Sequence, residues 1–517
     1  MSPKALTSYD QIPYVSKPLP QTHPSRLAAV ASMFGLTYAP PKTARVLELG
    51  CGSGVNLLGM AHFMPDAKFV GVDLSIVQIH EAQRRAEELG TKNVTYRHMS
   101  IDEIDPSFGE FDYIICHGVF SWVPPNVQQA IMRVSNENLA PEGIAYISYN
   151  VQPGWRLRQI LRDTLLALTP SEMPVEKRWV YGTAWIKDAL ELSAEGDKQP
   201  LLHQALAQIM ESVTKSKDGK VSEQRDLRYL VHEYLEVNNE PILFKEFLAK
   251  ANEADLAYLG DAEPSSMVRH ITNPALAKFF KGHPTHSMAE SEQSIDILLG
   301  RTFRQSLVVK GNRTRQINRA LSSNVFKNLH IQTHILKIMG ENKEAQYHHF
   351  KVGHMQTQPP YGTAALEALS EYAHMSAQFG KLYEKFAELS NGTEEMFTEI
   401  LFSLLGMGVI EIFADPYIPE LPKGATPMAL MDIGPGRDRT TNAIGEAIML
   451  DPMQTLVLPL LVGDWDRSDV IAKLEALHAK GAFDINPQPA DSDQLKGLLG
   501  AALDAAVARF KLLGVLG

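Results

Sequence analysis

The chain reads as an α/β protein: a doubly wound, Rossmann-like sheet with a helical insertion, then a helical middle domain and an α+β C-terminal domain. Three observations predict this. Short apolar segments alternate with amphipathic helical ones as far as Asn150. A turn with three glycines follows the first of those segments. The chain, at 517 residues, is too long for one core and predicts two to four domains.

The strands come first. "ARVLEL" (44–49), "KFVGVD" (68–73), "VTYRHMS" (94–100), "FDYIICH" (111–117) and "GIAYISYN" (143–150) are short and rich in β-branched or aromatic residues. That composition fits buried parallel strands. Between two of them, "SIVQIHEAQRRAEELG" has Ser75 as N-cap with Gln78 three residues on. Ile76, Ile79, Ala82, Ala86 and Leu89 form its apolar stripe, and Gly90 stops it. Strand–helix alternation of this kind places ligands at the carboxyl ends of the strands.

The turn "VLELGCGSGVN" (46–56) sits at such an end. Gly50 permits a tight turn, and Gly52 and Gly54 allow a ligand close to the backbone. A dinucleotide fingerprint needs G-x-G-x-x-G, whereas the third glycine here comes one position early and Glu48 stands just before the turn. A pyrophosphate prefers bare amides at a helix N-terminus. A carboxylate suits a cation instead, such as the amine of a methionine-like tail. Asp73, ending the second strand, is placed to hold both hydroxyls of a ribose.

Glu48-Leu49-Gly50-Cys51-Gly52-Ser53-Gly54 together with Asp73 resembles the two opening motifs of the class I S-adenosylmethionine-dependent methyltransferases. The resemblance implies S-adenosylmethionine as cofactor, held by Glu48, Gly50, Cys51, Gly52, Gly54, Asp73 and the adjacent Leu74. It implies adenine contacts from Ser100, Ile101 and Asp102, and a methyl-transfer site lined by His117, Gly118, Phe120 and Trp122. Core packing is the other reading of Phe120 and Trp122.

A narrower likeness rests on "YDQIPYVSKPLPQTHPSRLAAVASMFGL" (9–36), "SYNVQPGW" (148–155), "HEYLE" (232–236) and "GRTFRQSL" (300–307). These words resemble bacterial protein lysine methyltransferases carrying a methyltransferase regulatory domain, some of which modify outer-membrane proteins. The likeness covers the first 310 residues. It implies a methyltransferase domain over 1–311, its last two strands at "DLAYLGDA" (255–262) and "FRQSLVVKG" (303–311). A helical insertion spans about 156–225, including the polar "TKSKDGKVSEQRD", and a regulatory segment about 226–300. The insertion is open to three roles: dimerisation, lid or packing. A helical middle domain over 312–390 and a substrate-selection or docking domain over 391–517 follow.

The implied reaction requires a neutral lysine, so desolvation and a nearby sulfonium charge must lower its pKa. Aromatic rings stabilise the ammonium and shape a narrow channel. Phe120, Trp122, Tyr149 and Trp155 are the aromatic candidates, and Asn150 is a hydrogen-bond acceptor for the amine. In "HEYLE", Leu227, Leu230, Val231, Tyr234 and Leu235 share one helical face, leaving His232, Glu233 and Glu236 on a solvated one. The resemblance offers the alternative that this segment closes over the site, with Glu233 or His232 orienting the amine or relaying its proton. "QTHPSR" also reads two ways. Pro24 opens a helix with His23 as cap and Arg26 exposed, or Thr22, His23 and Arg26 reach the cofactor's carboxylate.

Elsewhere the chemistry is thinner. "DIGPGRDRTTN" (432–442) follows no clean strand and reads as a loop. "YHHFKVGH" (347–354) has no carboxylate or cysteine at ligand spacing, so no metal is expected. "EEMFTEILFSLLGMGVIEIF" (394–413) is a helix running into a strand, in the order of a winged helix, and "DPMQTLVLPLLVGDWDRSDVIAKLEALHAKG" reads as two packed helices. A net charge of −11 disfavours nucleic acid and favours protein docking. Cys51 and Cys116 are the only cysteines, no secretory h-region opens the chain and no 18-residue apolar run occurs, so a cytoplasmic protein without membrane insertion is expected. The reading is a protein-lysine N-methyltransferase whose partner is a protein presenting lysines. The rivals are a small-molecule or RNA methyltransferase, and a cofactor-binding regulatory protein without turnover.

Overall fold

Seven strands form one mixed sheet: β1 (Arg45–Leu49), β2 (Lys68–Asp73), β3 (Val94–His98), β4 (Phe111–Cys116), β5 (Leu139–Asn150), β6 (Leu256–Asp261) and β7 (Phe303–Lys310). They are seen in a computed structural model describing residues 8–14, 16–194, 200–214 and 227–516, apart from 322, 340–343, 350–351, 374–375, 417–422, 426, 431–432, 435–436, 443–446 and 487. The strand order is β3-β2-β1-β4-β5-β7-β6. The first five strands pair in parallel, while β7 runs antiparallel to both neighbours. Leu49 pairs with Val72, Glu48 with Ile115, and Cys116 with Ile147. The carboxyl ends of the central strands are therefore level, and the order reverses between β1 and β4. That reversal opens a crevice at the turn after β1.

The helices beside these strands are α1 (Ser8–Gln11), α2 (Pro24–Met33), α3 (Val55–Phe63), α4 (Ile76–Glu88) and α5 (Pro125–Glu137). Ser75 caps α4 by accepting from the Gln78 amide, and Ile79, Ala82 and Ala86 are its buried stripe. One face of the sheet packs Val46, Phe69, Tyr113 and Tyr146 against Leu58 of α3 and Leu27 of α2. The other packs Leu47, Ile114 and Ile147 against Ile131 of α5 and Phe247.

Between β5 and β6 lie α6 (Trp155–Leu168), α7 (Val175–Ala194), α8 (Leu201–Thr214), α9 (Leu227–Leu235) and α10 (Phe244–Glu253). The first four share a core of Leu161, Trp179, Met210 and Tyr234, joined by Ile12 from the N-terminal segment. Most of "TKSKDGKVSEQRD", residues 215–226, lies outside the described residues. Then come α11 (Pro264–Thr272), α12 (Pro274–Gly282) and α13 (Met288–Leu298). A fully buried Arg304 on β7 pairs with Asp261 of β6 and with Asp296 and Glu292 of α13, clamping that edge.

The middle region holds β8 (His330–Thr333), β9 (Ile335–Met339), β10 (Ala345–His349), β11 (Gly353–Met355), α14 (Tyr361–Ser370), β12 (Ala377–Gln378), α15 (Phe379–Ser390), α16 (Glu394–Gly406) and β13 (Ile410–Phe413). The helices expected over 312–390 are α14 and α15, but five strands share that stretch. "HIQT" and "AQYHH" lack the apolar runs that announce a strand. The helix–strand pair of 394–413 belongs here rather than to the C-terminal domain, because β13 pairs with β8 and Phe397 and Leu401 join the core of Phe326 and Phe386. Ala29 and Met33 of α2 enter the same core.

The C-terminal region contains α17 (Pro427–Leu430), β14 (Ile433–Gly434), β15 (Arg437–Thr441), β16 (Ala447–Met449), α18 (Pro452–Val457), α19 (Arg467–Ala479) and α20 (Ser492–Leu512). The expected loop 432–442 is instead a hairpin where described, with β14 antiparallel to β15. The two helices read in "DPMQ…AKG" are α18 and α19.

Candidate active site

β1 carries Glu48 to the crevice, where its side chain is 3% exposed. Its Oε1 accepts from Asn56 Nδ2 at 2.9 Å, while Oε2 is buried with no partner among the described residues. Burial pushes the carboxyl up to about 8, with Asn56 opposing and the charge of Asp73 adding. Gly50, Gly52 and Gly54 have φ of 73°, 53° and 72°, the left-handed region that favours glycine. A Cβ on Gly50 would meet Val119 at 2.4 Å, and one on Gly54 would meet the Tyr96 ring at 2.5 Å. The amides of Gly50 and Cys51 donate to Val72 O, and Cys51 is buried beneath the turn.

Asp73 accepts from Gly52 N and Ser75 N, each at 2.9 Å. Burial raises its carboxyl and those two amides pull it back. Leu74 beside it is exposed, as is Asp102, while Ile101 is buried and Ser100 opens the short turn Ile101–Glu103.

The N-terminal segment crosses this crevice. Ser75 Oγ donates to Asp10 Oδ1 at 2.7 Å, Ser53 N to Ser16 Oγ at 3.0 Å and Leu19 N to Asn56 Oδ1 at 2.9 Å. Thr22 Oγ1 accepts from Asn56 Nδ2 at 3.1 Å, which links it to Glu48. His23 caps α2 by accepting from Ser25 N at 3.2 Å, and burial, then Arg26, pushes its ring down to about 4. Arg26 is buried where exposure was one expectation, and it pairs with Glu411 of β13 at 3.0 Å beside the Phe413 ring. Arg26, Ala29 and Met33 lie at helical spacing on the face of α2 that enters the middle core.

His232 is likewise buried instead of lying on a solvated face. Its Nε2 meets Ile12 O at 2.7 Å, its Nδ1 meets Glu236 Oε1 at 2.6 Å, and Tyr9 stacks on its ring at 4.7 Å. The N-terminal segment covers what would otherwise be the polar side of α9.

On the other side of the crevice, His117 Nδ1 lies 2.7 Å from the Tyr146 hydroxyl, and burial, then Lys17, pushes its ring down to about 3. Gly118 N donates to Ser148 Oγ at 2.8 Å. Alternation along β5 turns Tyr146, Ser148 and Asn150 to one face and Tyr149 to the other. Tyr149 therefore leaves the aromatic channel expected of it: it is 1% exposed and stacks on Phe247 at 4.3 Å. Phe120 packs edge-on to both and is core as well. Asn150 is buried, its amide N held by Ser121 Oγ at 2.9 Å and its Nδ2 3.5 Å from Asn239 Oδ1. Trp122 is half-buried and meets Trp155 edge-to-face at 6.1 Å. The Arg158 guanidinium lies 5.1 Å from the Trp155 ring centre and donates to Glu233 Oε1 at 2.8 Å. The site residues that sequence reasoning missed are Ser16, Asn56, Arg158 and Asn239. Asn56 closes the glycine stretch and Arg158 follows Trp155 by one turn, so both had a signal.

Three family models match the chain: "Methyltransferase domain" over 46–143, "Predicted methyltransferase regulatory domain" over 226–310, and "PKMT, C-terminal winged helix domain" over 420–515. An uncharacterised protein of Rickettsia prowazekii is 35% identical over 399 residues, covering 75% of this chain and 69% of its own. A second from the same organism is 36% identical over 252 residues, 48% of this chain and 94% of its own. The structure of PKMT2 from Rickettsia typhi superposes with a TM-score of 0.82 at 25% identity, covering 97% of this chain and 100% of that one. The chain belongs to this methyltransferase family. PKMT2 in complex with AdoHcy gives a TM-score of 0.81.

The methyltransferase uses S-adenosylmethionine as cofactor. Its crevice fits that molecule on one observation: a buried Glu48 carboxylate oxygen lacks a partner among the described residues, while the three left-handed glycines let the turn pack tightly against Val119, Ser16 and Tyr96. A pyrophosphate would meet the Glu48 carboxylate instead. Among the described residues no helix of the methyltransferase is long and apolar enough to cross a membrane.

Proposed function

We propose that this methyltransferase transfers a methyl group from S-adenosylmethionine to lysine side chains of a protein. The observation that carries the reading is the length-wide likeness to PKMT2, which extends through the middle and C-terminal regions as well as the catalytic sheet. Appendages of that size are surfaces for a macromolecule. Outer-membrane proteins are the first acceptors to test, and two unpaired, buried cysteines suit a reducing cytoplasm.

The cofactor, when bound, supplies an electrophilic methyl carbon. Glu48 Oε2 would take the ammonium of its methionine tail, and Asp73 would hold the ribose hydroxyls. The turn of Ser100, Ile101 and Asp102, with Leu74, would border the adenine, and His117 and Gly118 the reacting end. His117 stays neutral at physiological pH and adds no cation there. On the acceptor side, Trp122 narrows the entrance, strips water from the amine and offers a ring to its charged form. The Asn150 side-chain carbonyl accepts one N–H and aims the lone pair. The surplus proton leaves to solvent past Glu233, whose carboxylate is held by Arg158. Residues 1–311 then form the catalytic unit, and the regions beyond hold the protein acceptor.

The test is to incubate the purified chain with tritiated cofactor and a heat-treated bacterial lysate, then to fractionate the products. Label in discrete protein bands is the expected result. Label confined to RNA or to low-mass material would overturn the reading.

A further inference from the structure

The aromatic–carboxylate corner beside the proposed lysine entrance already holds a cation. Arg158 sits over the Trp155 ring at 5.1 Å and donates to Glu233 at 2.8 Å. An aromatic face with a carboxylate is what stabilises an ammonium, and a lysine held as ammonium has no lone pair with which to attack. We propose that Arg158 is a positioning residue that keeps the acceptor lysine neutral: it fills the cation place, neutralises Glu233 and repels a second positive charge. This rests on the lysine reading above.

The geometry gives Arg158 that place by helical spacing. It lies one turn after Trp155 on α6, so its guanidinium folds back over the indole while its stem follows the helix. Trp155 also meets Trp122 edge-to-face, and Ser121 next to Trp122 holds the Asn150 backbone N. The cation thus stands one ring away from the groups that receive the amine. Glu233 of α9 is the charged group that Arg158 contacts; Glu233 also interacts with Tyr14 of the N-terminal segment, while Glu236 interacts with His232, Tyr9 and Arg162, and Arg162 with Asp163 and Arg178. Removing Arg158 takes one positive charge from this balance and favours the ammonium.

The size follows from Coulomb's law. With one ring between them, two unit charges roughly 10 Å apart at an effective dielectric near 20 shift a pKa by about one unit. Arg158 has a side chain 42% exposed, so solvent screening cuts this to about half a unit.

The test uses Arg158→Gln and Arg158→Lys in the full chain, with a lysine peptide that the native chain labels, at saturation. The readout is the pH dependence of kcat, which reports groups in the bound complex. In Arg158→Gln the acid limb moves up by about half a pH unit. At pH 7 kcat falls roughly threefold and recovers at alkaline pH, whereas Arg158→Lys keeps the native profile. AdoHcy affinity is the folding control and stays within twofold. An unmoved acid limb in Arg158→Gln, or a loss that is uniform across pH, overturns the proposal. A native chain that labels no lysine defeats the reading beneath it, and this proposal with it.

Discussion

Replacing Glu48 by Gln separates two consequences of burying one carboxylate. In the free protein the carboxyl is pushed up to about 8 by burial. At pH 7 it is therefore protonated in roughly nine molecules of ten. A cofactor ammonium at Oε2 reverses the balance, because the ionised form now has a partner and the neutral form does not. Binding at pH 7 must release about 0.9 proton per site, and affinity must rise about tenfold per pH unit up to roughly pH 8. The sign is fixed: a raised carboxyl gains affinity as pH climbs toward its own pKa and levels off above it. Glu48→Gln keeps the Asn56 hydrogen bond, cannot ionise, and loses a buried charge-assisted pair of about 2–4 kcal/mol, roughly 30- to 800-fold in Kd. Isothermal titration with AdoHcy at pH 6.5–7.5, in buffers of different ionisation enthalpy, reads both effects. Native binding with no buffer dependence, and a variant whose Kd stays within twofold, would refute the reasoning.

Three further outcomes follow. Gly54→Ala forces a Cβ into the Tyr96 ring at a φ of 72°, so AdoHcy binding falls at least 100-fold while the rest of the fold survives, read by calorimetry and circular dichroism. Arg26→Ala leaves Glu411 without its 3.0 Å partner at the joint with the middle region. It costs about 3 kcal/mol in thermal melts but shifts the AdoHcy Kd by less than threefold, whereas a contact with the cofactor's carboxylate would cost far more. Tyr149→Phe gives up only its hydroxyl's contact with Ser306 at 3.2 Å, so transfer activity stays within twofold and stability drops by about 1 kcal/mol; a larger loss of activity would put Tyr149 back in the channel.

The cofactor side was legible because its determinants are local. Glu48, three glycines and Asp73 define a turn and its charge within thirty residues, and strands β6 and β7 were visible as short apolar runs. Misplaced features depend on distant partners. Arg26 looked exposed because Glu411 and Phe413, which cover it, lie on β13 far along the chain. His232 looked solvated because helical spacing reports one helix's faces and not the N-terminal segment that lies across them. Tyr149 looked like a channel residue because it stands next to Asn150 at the strand end, yet the pleat sends adjacent side chains to opposite faces. The pair 394–413 looked like the start of a new domain, while its strand completes a sheet begun at His330. Arg158 carries a charge whose meaning appears only once Trp155 and Glu233 are seen on either side of it.

The most direct test of the central claim is the chemical identity of the labelled residue. Protein labelled by the native chain with tritiated S-adenosylmethionine is hydrolysed to amino acids and separated against methylated standards. The account predicts counts that travel with methyl-lysine, and their loss in Glu48→Gln. Counts that travel with any other methylated amino acid, or that are released as volatile methanol from carboxyl esters, would contradict it.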